Sequence, residues 1–459
     1  MSDREAFRPV LGEAAGLAER WLDGVRDGSI PPSADIEAVK DALGRELPDR
    51  GPEPAEVLRR MADAVEPGLM RMHSPRFHGW VIGGAQPVSL GADWLVSAWD
   101  QNSALRSVTP GVVAAEEIAG AWMLDLLGLP ATAEVGFVTG ATVANLVGLV
   151  CGRDDVLRRA GWDARADGLA GAPRVRFLAG EERHGSVDSA GVIAGLGAAR
   201  LIAVDDDGRM RADALRAALA EAEGPAVVCL QAGNIHSGAF DPLADAVAVA
   251  HEAGAWVHVD GAFGLWAAAA PALRRLTEGM AGADSWATDA HKTLNVPYDS
   301  GIAVVAHPDA LHASFAQHAA YLASSADIAD PGDRVPELSR RARGVPVYAA
   351  LAQLGRAGVA DLVQGMADAA IAIADGLRDI PGAMVLNEVV YTQVCATFGD
   401  DERTRAVGAA LRDGGAALAS PSTWHGRAVL RFSVSNWLTD TEEAARTVAA
   451  VRAAVDSLG

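Results

Sequence analysis

Lysine is almost missing from this 459-residue sequence, in which Lys40 and Lys292 are the only two examples and arginine supplies the other basic side chains. Cysteine is also scarce, and its three residues form no Cys-x-x-Cys pair. This spacing argues against a disulfide framework and against a zinc site built from cysteines, so buried thiols are expected at Cys151, Cys229 and Cys395. Any reaction that requires a lysine amine has only two residues from which to draw.

Tracts rich in lysine or arginine are absent as well, and the formal net charge is −21, from 60 acidic against 39 basic residues. An acidic surface repels a phosphate backbone, which argues against nucleic acid as a partner. No apolar run approaches the ~20 uncharged residues of a membrane span. The first residues, MSDREAFRPV, lack the basic start and apolar stretch of a signal peptide. Since half of the residues are hydrophobic, we predict a globular cytoplasmic protein without a membrane partner.

The spacing of apolar residues changes along the chain. A helical period dominates from about residue 53 to 130, where Glu116 and Glu117 are expected in the opening turn of a helix that Gly128 ends. Between about residues 135 and 305, short apolar runs alternate with turns and helical stretches, which is typical of a mostly parallel sheet covered on both faces. The predicted strand runs are Gly136–Thr139, Val175–Leu178, Leu201–Val204, Ala226–Leu230, Trp256–Val259 and Ile302–Val305.

These patterns predict an α/β protein in three parts. A helical N-terminal segment (1–130) precedes a large α/β domain (131–340), and a smaller α+β domain (341–459) follows. The segment Ser324–Pro336, which is rich in aspartate, is expected to be a loop, and Thr441–Ser457 is expected to be the last helix.

Small and polar residues follow two of the predicted strands. In an open α/β sheet, ligands bind outside the carboxyl ends of the strands. Asp260, at the end of the Trp256–Val259 run, is therefore either a helix cap or the partner of a cationic ligand atom. Gly140, Ala141 and Thr142 open an apolar helix whose free backbone N–H groups could bind a phosphate, although the same residues also form an ordinary helix start.

Lys292 lies between two apolar stretches, beside His291, in a chain that otherwise uses arginine. Partial burial lowers the pKa of an amine and makes it a nucleophile toward a carbonyl, which arginine cannot be. The alternative is a surface lysine with a snorkelling stem. His184 follows the Val175–Leu178 run and is either a planar group for a ligand ring or a capping loop residue. Together, an amine, an acid, a phosphate cradle and a planar ring are the parts of a pyridoxal phosphate site.

From about residue 70 to 437 the sequence resembles the group II pyridoxal phosphate-dependent amino acid decarboxylases, the family of aromatic-L-amino-acid, histidine and glutamate decarboxylases. The motifs that carry the resemblance, in family order, are HSPRFHGW (73–80), GFVTGATVAN (136–145), the His184 segment, AGNIHSGAFDP (232–242), HVDGAFG (258–264), DAHK (289–292) and SRRARGVPVYAAL (339–351). The resemblance implies the aspartate aminotransferase-like fold type I, with a mostly parallel seven-stranded sheet in the large domain.

The resemblance also implies the cofactor, pyridoxal 5′-phosphate, and a role for each matched residue. Lys292 would carry the cofactor as an aldimine, with His291 beside it, Asp260 would pair with the ring nitrogen, and His184 would stack on the ring. The remaining implied contacts are Ala141 and Thr142 with the phosphate, Asn234 and Ala262 with the cofactor, and Trp80, Phe77 and Arg340 with the substrate, Arg340 at its carboxylate.

The implied reaction is decarboxylation of an L-amino acid, expected to be aromatic because Trp80 and Phe77 would suit such a side chain, by a homodimer with its active site at the subunit interface. One departure leaves alternatives open. In the family a mobile loop precedes the Arg340 motif and carries a tyrosine that protonates Cα, whereas the corresponding stretch here, Ala326–Glu337, has no tyrosine, and only Tyr321 and His318 upstream could replace it. Oxidative formation of an aldehyde and Cα–Cβ cleavage therefore stay open, and a non-catalytic homologue is the remaining alternative.

Overall fold

The computed structural model describes residues 3–316 and 329–459. Its helices are α1 (Asp3–Asp23), α2 (Ile36–Leu43), α3 (Pro54–Val65), α4 (Pro87–Trp99), α5 (Pro110–Leu127), α6 (Ala141–Arg159), α7 (Ala164–Asp167), α8 (Gly185–Ile193), α9 (Ala212–Ala220), α10 (Leu243–Glu252), α11 (Pro308–Phe315), α12 (Gly344–Arg378), α13 (Asp401–Gly414) and α14 (Thr441–Asp456). Its strands are β1 (Phe77–His78), β2 (Glu134–Val138), β3 (Arg176–Gly180), β4 (Arg200–Ile202), β5 (Ala226–Gln231), β6 (Trp256–Asp260), β7 (Ser285–Asp289), β8 (Gly301–Val305), β9 (Ala383–Val385), β10 (Gln393–Phe398), β11 (Leu418–Trp424) and β12 (Arg427–Ser433).

A seven-stranded sheet forms the centre of the molecule, with the order β2-β8-β7-β6-β5-β3-β4. The pairs along β7-β6-β5-β3-β4 are parallel, and β8 runs antiparallel to both of its neighbours, β2 and β7. Every residue of β6, β7 and β8 is buried, as expected for strands covered by helices on both faces. The predicted α/β class and mostly parallel sheet are confirmed, and each of the six predicted strand runs overlaps an observed strand.

The strand β7 was missed because its sequence, Ser-Trp-Ala-Thr-Asp, is not an apolar run. The structure nevertheless buries all five residues between β6 and β8. Ser285 accepts a hydrogen bond from the indole of Trp256, and the Trp286 indole donates to the carbonyl of Met280. Because these partners satisfy its polar groups, a polar sequence becomes an interior strand.

The helix that carries Glu116 begins earlier than predicted. Helix α5 starts at Pro110, a residue favoured in the first turn because it has no N–H to satisfy, so Glu116 lies in the second turn and is buried. Gly128 ends α5 in the left-handed region (φ 65°), as predicted. In this second turn Glu116 points into the protein, where it pairs with Arg340.

A second sheet, with the order β1-β11-β12-β10-β9, packs against α13, α14 and the C-terminal half of α12 around a separate apolar core. Its edge strand β1 comes from the N-terminal segment and pairs in parallel with β11, Phe77 opposite Leu418. The N-terminal segment therefore contributes to the sheet of the C-terminal part of the chain. The domain boundaries at residues 130 and 340 stay predictions.

Helix α12 is long and apolar enough to cross a membrane by length and composition alone. It is interrupted at Gly355, which has φ 61°, and its buried residues belong to the apolar cores of both sheets. It packs against α4, α5 and α14. These contacts are those of a core helix, and the cytoplasmic location of the chain stays a prediction.

The stretch predicted to match a mobile loop is packed where the structure describes it. Asp330 caps a short 3₁₀ turn, Pro331–Arg334, and accepts a hydrogen bond from the backbone N–H of Arg106 at 2.8 Å. Val335 is fully buried in the core beneath the large sheet. The described part of the predicted loop, residues 329–336, is therefore irregular and packed, and Tyr321 and His318 lie outside the described residues.

Candidate active site

The carboxyl ends of the central strands bring the main polar residues to one edge of the large sheet. Asp260 ends β6 and lies opposite Ala287 of β7, and Asp289 ends β7 opposite Gly301. Val138 ends β2 opposite the same Gly301, so the helix α6 that follows begins beside Asp289. The sequence-based prediction that ligand-binding residues collect at this edge is confirmed in its geometry.

Lys292 lies just past β7, one turn beyond Asp289. Its Nζ atom is 2.9 Å from Asp289 Oδ2, and the His291 Nε2 atom is 3.5 Å from the same oxygen. The Lys292 side chain is 20% exposed, while Asp289 and His291 are buried. Lys292 is thus mostly buried and paired with Asp289. The sequence did not reveal the role of Asp289, because β7 was not predicted as a strand.

Asp260 is a buried carboxylate held by two donors. Its Oδ1 accepts from the backbone N–H of Ala262 and its Oδ2 accepts from the Asn145 amide, both at 3.1 Å. Burial raises the pKa of Asp260, and the charges of Lys292 and His184 and both hydrogen bonds oppose that rise. A carboxylate in this position can pair with a cationic ring nitrogen.

The N-terminus of α6 presents backbone donors at the same edge. Gly140 supplies no side-chain cap, and Asp289 Oδ1 accepts from the Ala141 N–H at 2.6 Å. Gly301 makes the arrangement possible, because a Cβ there would lie 2.4 Å from the Gly140 backbone. Thr142 follows with an exposed side chain. The Ala141 N–H is therefore already bonded to Asp289, and an anion at this helix start would meet the exposed hydroxyl of Thr142 and the positive end of the helix.

His184 caps helix α8 and borders the same pocket. Its Nδ1 atom accepts from the Ser186 backbone N–H at 3.2 Å and lies 2.8 Å from the Ser186 hydroxyl. Partial removal from water lowers the pKa of His184, while the charges of Asp260 and Lys292 act on it in opposite directions. A neutral imidazole with a fixed orientation fits the predicted stacking role.

Asn234 and Ala262 are held by the turns that follow β5 and β6. Asn234 Oδ1 accepts from the N–H of His236 at 2.7 Å, and its amide donates to Glu182 at 3.0 Å. Ala262 lies between the two acids, because its N–H donates to Asp260 and its carbonyl accepts from the backbone N–H of Asp289. Both residues are where the resemblance expects them, and their contacts with a cofactor stay predictions.

Arg340 does not have the free guanidinium that a substrate carboxylate requires. Its two terminal nitrogens bind Glu116 at 2.9 and 2.8 Å, and one also donates to the Ser103 carbonyl. The pair is closed to solvent, with the side chains 2% and 3% exposed. The proposed substrate role of Arg340 was wrong because the sequence does not reveal that Glu116 faces it.

Phe77 and Trp80 lie close together, with ring centroids 6.0 Å apart, but they differ in exposure. Phe77 is 1% exposed and packs with Ile30 and Leu418, so the prediction that it lines a substrate pocket was wrong. Trp80 is 52% exposed. Its segment lies against the lysine loop, since a Cβ on Gly83 would lie 2.5 Å from the Lys292 carbonyl oxygen. Trp80 therefore remains a candidate substrate contact.

Asn295, which the sequence analysis missed, fixes the loop after Lys292. Its amide nitrogen donates to the carbonyls of Lys292, Thr293 and Ser435, at 2.9, 2.9 and 3.0 Å. Its Oδ1 accepts from the backbone N–H of Gly84 and of Trp437. One buried side chain thus joins the lysine loop to the N-terminal segment and to the small domain.

Arg431 on β12 was also missed, and it is a buried cation without a counter-ion. The guanidinium makes no hydrogen bond or ion pair with any part of the chain that the structure describes, and its buried Nε atom has no partner. Its charge contributes to lowering the pKa of both His184 and His236, so it acts on the same part of the molecule as Lys292 and Asp260. An arginine within the apolar run Ala-Val-Leu-Arg-Phe was the signal available in the sequence.

These groups fit pyridoxal phosphate. A mostly buried lysine, a buried carboxylate, a helix N-terminus and an oriented imidazole lie at one strand edge, and the charge of the buried Arg431 acts on the imidazole. Lys292, Asp260, His184 and the α6 N-terminus would hold the aldehyde carbon, ring nitrogen, ring face and phosphate, in that order.

Comparison with known proteins agrees with this geometry. Residues 37–398 match the model of the pyridoxal-dependent decarboxylase conserved domain. Tryptophan decarboxylase 1 of Oryza sativa subsp. japonica is 27% identical over 94% of this chain and 90% of its own length. Acidic amino acid decarboxylase GADL1 of Mus musculus is 28% identical over 85% of this chain and 71% of its own length. A crystal structure of Oryza sativa TDC with PLP and tryptamine superposes with a TM-score of 0.92 at 23% identity, covering 99% of this chain and 98% of that chain.

Proposed function

Because the chain belongs to the pyridoxal-dependent decarboxylase family, we propose that it decarboxylates an aromatic L-amino acid as a homodimer, with Arg431 as the partner of the substrate carboxylate. The observation that carries this proposal is the buried guanidinium of Arg431 without a counter-ion in the described chain. Burying an unpaired charge is costly, so a site that keeps one is suited to an anionic ligand.

Pyridoxal phosphate, the cofactor of this family, supplies an electron sink for the bonding pair that remains at Cα when the carboxylate leaves as CO2. Lys292 would supply the amine that attaches it, and Asp260, held by Ala262 and Asn145, would keep a proton on the ring nitrogen. His184, which Ser186 holds in one orientation and whose pKa is lowered by partial burial, would support the ring face.

Arg431 would fix the carboxylate relative to the ring, which decides which Cα bond is broken. Its charge and that of Lys292 both act on His184, and Lys292 already has Asp289 at 2.9 Å. Of these two cations in the described chain, only Arg431 is therefore available to a carboxylate. The half-exposed Trp80, whose segment touches the Lys292 carbonyl, supports an aromatic side chain.

A homodimer is supported by exposed apolar side chains on two helices that both pack against α12. Trp94, Leu95 and Trp99 of α4 and Ile118 and Trp122 of α5 are each 39–49% exposed. Several large apolar side chains exposed on adjoining elements are typical of an association site. A second copy of the chain, meeting at α4 and α5, would cover it.

A substrate panel tests the reaction. The enzyme, loaded with pyridoxal phosphate, is incubated with each aromatic and acidic L-amino acid, and CO2, amine, aldehyde and peroxide are measured from one stock. We expect equal amounts of CO2 and amine from an aromatic amino acid, and none from the Lys292→Ala variant. A preference for acidic amino acids would overturn the substrate proposal.

The same panel decides between decarboxylation and the alternatives. Aldehyde with ammonia and peroxide, in place of amine, would overturn simple decarboxylation. This outcome has its own basis in the missing tyrosine of residues 326–337. Glycine and an aldehyde from a β-hydroxy amino acid would instead establish Cα–Cβ cleavage.

Sedimentation equilibrium tests the dimer. We expect a dimer for the natural chain and a monomer for Leu95→Glu, since a charge in an apolar interface is costly. Ile371→Glu is the matched control, because Ile371 on α12 is 45% exposed but lies outside the α4 and α5 surface. A Leu95→Glu variant that still sediments as a dimer would contradict the assigned interface.

A further inference from the structure

Behind Asp260, four buried side chains form a single hydrogen-bonded chain, of which the reaction described above uses only the last member, Asn145. The Trp256 indole Nε1 lies 2.9 Å from Ser285 Oγ, which lies 2.9 Å from His258 Nδ1. His258 Nε2 lies 2.9 Å from Asn145 Oδ1, and the Asn145 amide nitrogen lies 3.1 Å from Asp260 Oδ2. All five residues are at most 5% exposed.

The two ends of the chain fix its direction. An indole N–H can only donate, and an ionised carboxylate can only accept. Ser285 therefore accepts from Trp256 and donates to His258 Nδ1, and His258 donates from Nε2 to Asn145. The histidine is then neutral, with its proton on Nε2, and complete burial lowers the pKa of His258 to about 3, which agrees with that form.

Helix α6 is shaped to admit this chain. Asn145, Gly148 and Gly152 lie on one face of α6, three and four residues apart. A Cβ at Gly148 would lie 2.3 Å from His258 Nδ1, and a Cβ at Gly152 would lie 2.5 Å from the Trp256 ring. Both glycines are thus required by close approach, and the chain is a built feature of the helix and sheet contact.

We propose that Asn145, His258, Ser285 and Trp256 are positioning residues that deliver one N–H to Asp260 Oδ2 and so keep this buried carboxylate ionised and correctly aimed. The other oxygen, Oδ1, is fixed by Ala262, and the remaining charges that act on Asp260 are those of Lys292 and His184. The proposal rests on the proposed function only in the statement that Asp260 pairs with the cofactor ring nitrogen.

A purely structural role would stabilise the fold without affecting Asp260. The proposed role and a purely structural role predict different results. A one-way chain predicts one tautomer of His258 and an effect on the ring nitrogen that weakens with distance from Asp260. A structural cluster predicts a loss of stability that does not depend on this order.

The tautomer is measured first, by ¹⁵N NMR of the histidine rings in the cofactor-free and the loaded protein, with His258 assigned from the spectrum of His258→Gln. We expect a protonated Nε2 and an unprotonated Nδ1 from pH 8 to pH 5 in both forms. A proton on Nδ1, or a charged imidazole above pH 6, would overturn the proposal. Because the cofactor-free protein gives this result by itself, failure here is distinct from failure of the proposed function.

The reach of the chain is measured with pyridoxal phosphate labelled with ¹⁵N in the ring. In Asn145→Leu we expect the proton that the ring nitrogen shares with Asp260 to move toward the carboxylate, because the carboxylate becomes more basic when it loses a hydrogen bond. The ring ¹⁵N signal at neutral pH should therefore shift toward the unprotonated position, and kcat should fall about 10- to 100-fold with KM changed less than about threefold. A ring ¹⁵N signal equal to that of the natural protein would overturn the proposal.

Two further variants keep the test valid if Asn145→Leu folds poorly. Trp256→Phe removes the first donor of the chain, and we expect a smaller shift of the same ring ¹⁵N signal. Trp286→Phe is its matched control, because Trp286 is equally buried and donates to the Met280 carbonyl outside the chain. Equal ring ¹⁵N signals for Trp256→Phe and Trp286→Phe would contradict a chain that reaches Asp260.

Discussion

Two buried arginines, Arg340 and Arg431, lie in regions with opposite arrangements of charge. Arg340 joins the start of α12 to α5, where Glu116 binds both of its terminal nitrogens and Ser103 accepts a further hydrogen bond. Arg431 lies on β12, and its charge acts on His184. In the first region the buried arginine has a counter-ion, so we call it the complete region. In the second region, the incomplete region, Arg431 has none in the described chain.

This difference shows how a structural arginine can be distinguished from a ligand-binding one. An ion pair that is buried and fully hydrogen-bonded needs nothing more, so it contributes to the fold and has nothing to offer a substrate. A buried guanidinium without a partner lowers stability until an anion reaches it. The motif around Arg340 resembles a substrate site in sequence, but its charge is already neutralised, whereas the unremarkable strand around Arg431 keeps its charge available.

The largest effect is expected from breaking the complete pair. Arg340→Met leaves Glu116 buried without a partner, and removing one member of a buried pair costs about 3–5 kcal/mol of unfolding free energy. Urea unfolding of the cofactor-free protein measures this loss. The double variant Arg340→Met/Glu116→Leu should recover most of the stability, because neither charge then remains. A fully stable Arg340→Met protein would contradict the structural assignment.

The next effect concerns the incomplete region. Arg431→Gln should lower kcat/KM for the amino acid about 100-fold, equivalent to about 2.7 kcal/mol of lost charged contact, while the free energy of unfolding stays equal or rises. The amine product lacks the carboxylate, so its affinity should change little, and this affinity serves as the internal control. Equal losses of affinity for amino acid and amine would show that Arg431 does not contact the carboxylate.

The sequence predicted the parts of the site whose signal is local. Asp260 and the α6 start follow apolar strands, and Lys292 stands out in a chain with two lysines, so strand-end reasoning located them. The fold class followed from the same short apolar runs. Strand β7 could not be predicted, because its polar side chains form hydrogen bonds with residues far away in sequence, such as Trp256 for Ser285.

What the sequence could not show is which charges neutralise each other. Glu116 meets Arg340 across 224 residues, and Asp289 meets the Ala141 N–H across 148 residues. Pairings at such distances depend on packing and leave no periodicity in the sequence. For this reason the sequence wrongly predicts a substrate contact for Arg340 and for Phe77. It gives no indication of the roles of Arg431 and Asp289.

A smaller effect is expected at Asp289, which belongs to the incomplete region. Its carboxylate lies at the N–H of Ala141, where the cofactor phosphate is expected, and its other oxygen holds Lys292. Asp289→Asn keeps an acceptor but removes a negative charge from an anion site, so the affinity for pyridoxal phosphate should rise about tenfold. Titration followed by the visible absorbance of the bound cofactor measures it. Asp284→Asn, in the separate contact with His251 and His307, is the control and should leave the affinity unchanged.

The smallest effect is expected at His312, which is paired with Glu134, in comparison with His184. The hydrogen bond to Glu134 raises the pKa of His312 above its ordinary value of 6.5, whereas partial burial lowers the pKa of His184. A raised pKa stabilises the folded protein below pH 6.5, and this contribution is lost as the pH rises through the folded value. The free energy of unfolding should therefore fall by less than about 1 kcal/mol through this pair between pH 6 and 8. His312→Gln should remove that decline. An unchanged decline in this variant would place its origin in another group. That group cannot be His184, because a lowered pKa makes the free energy of unfolding rise, not fall, with increasing pH.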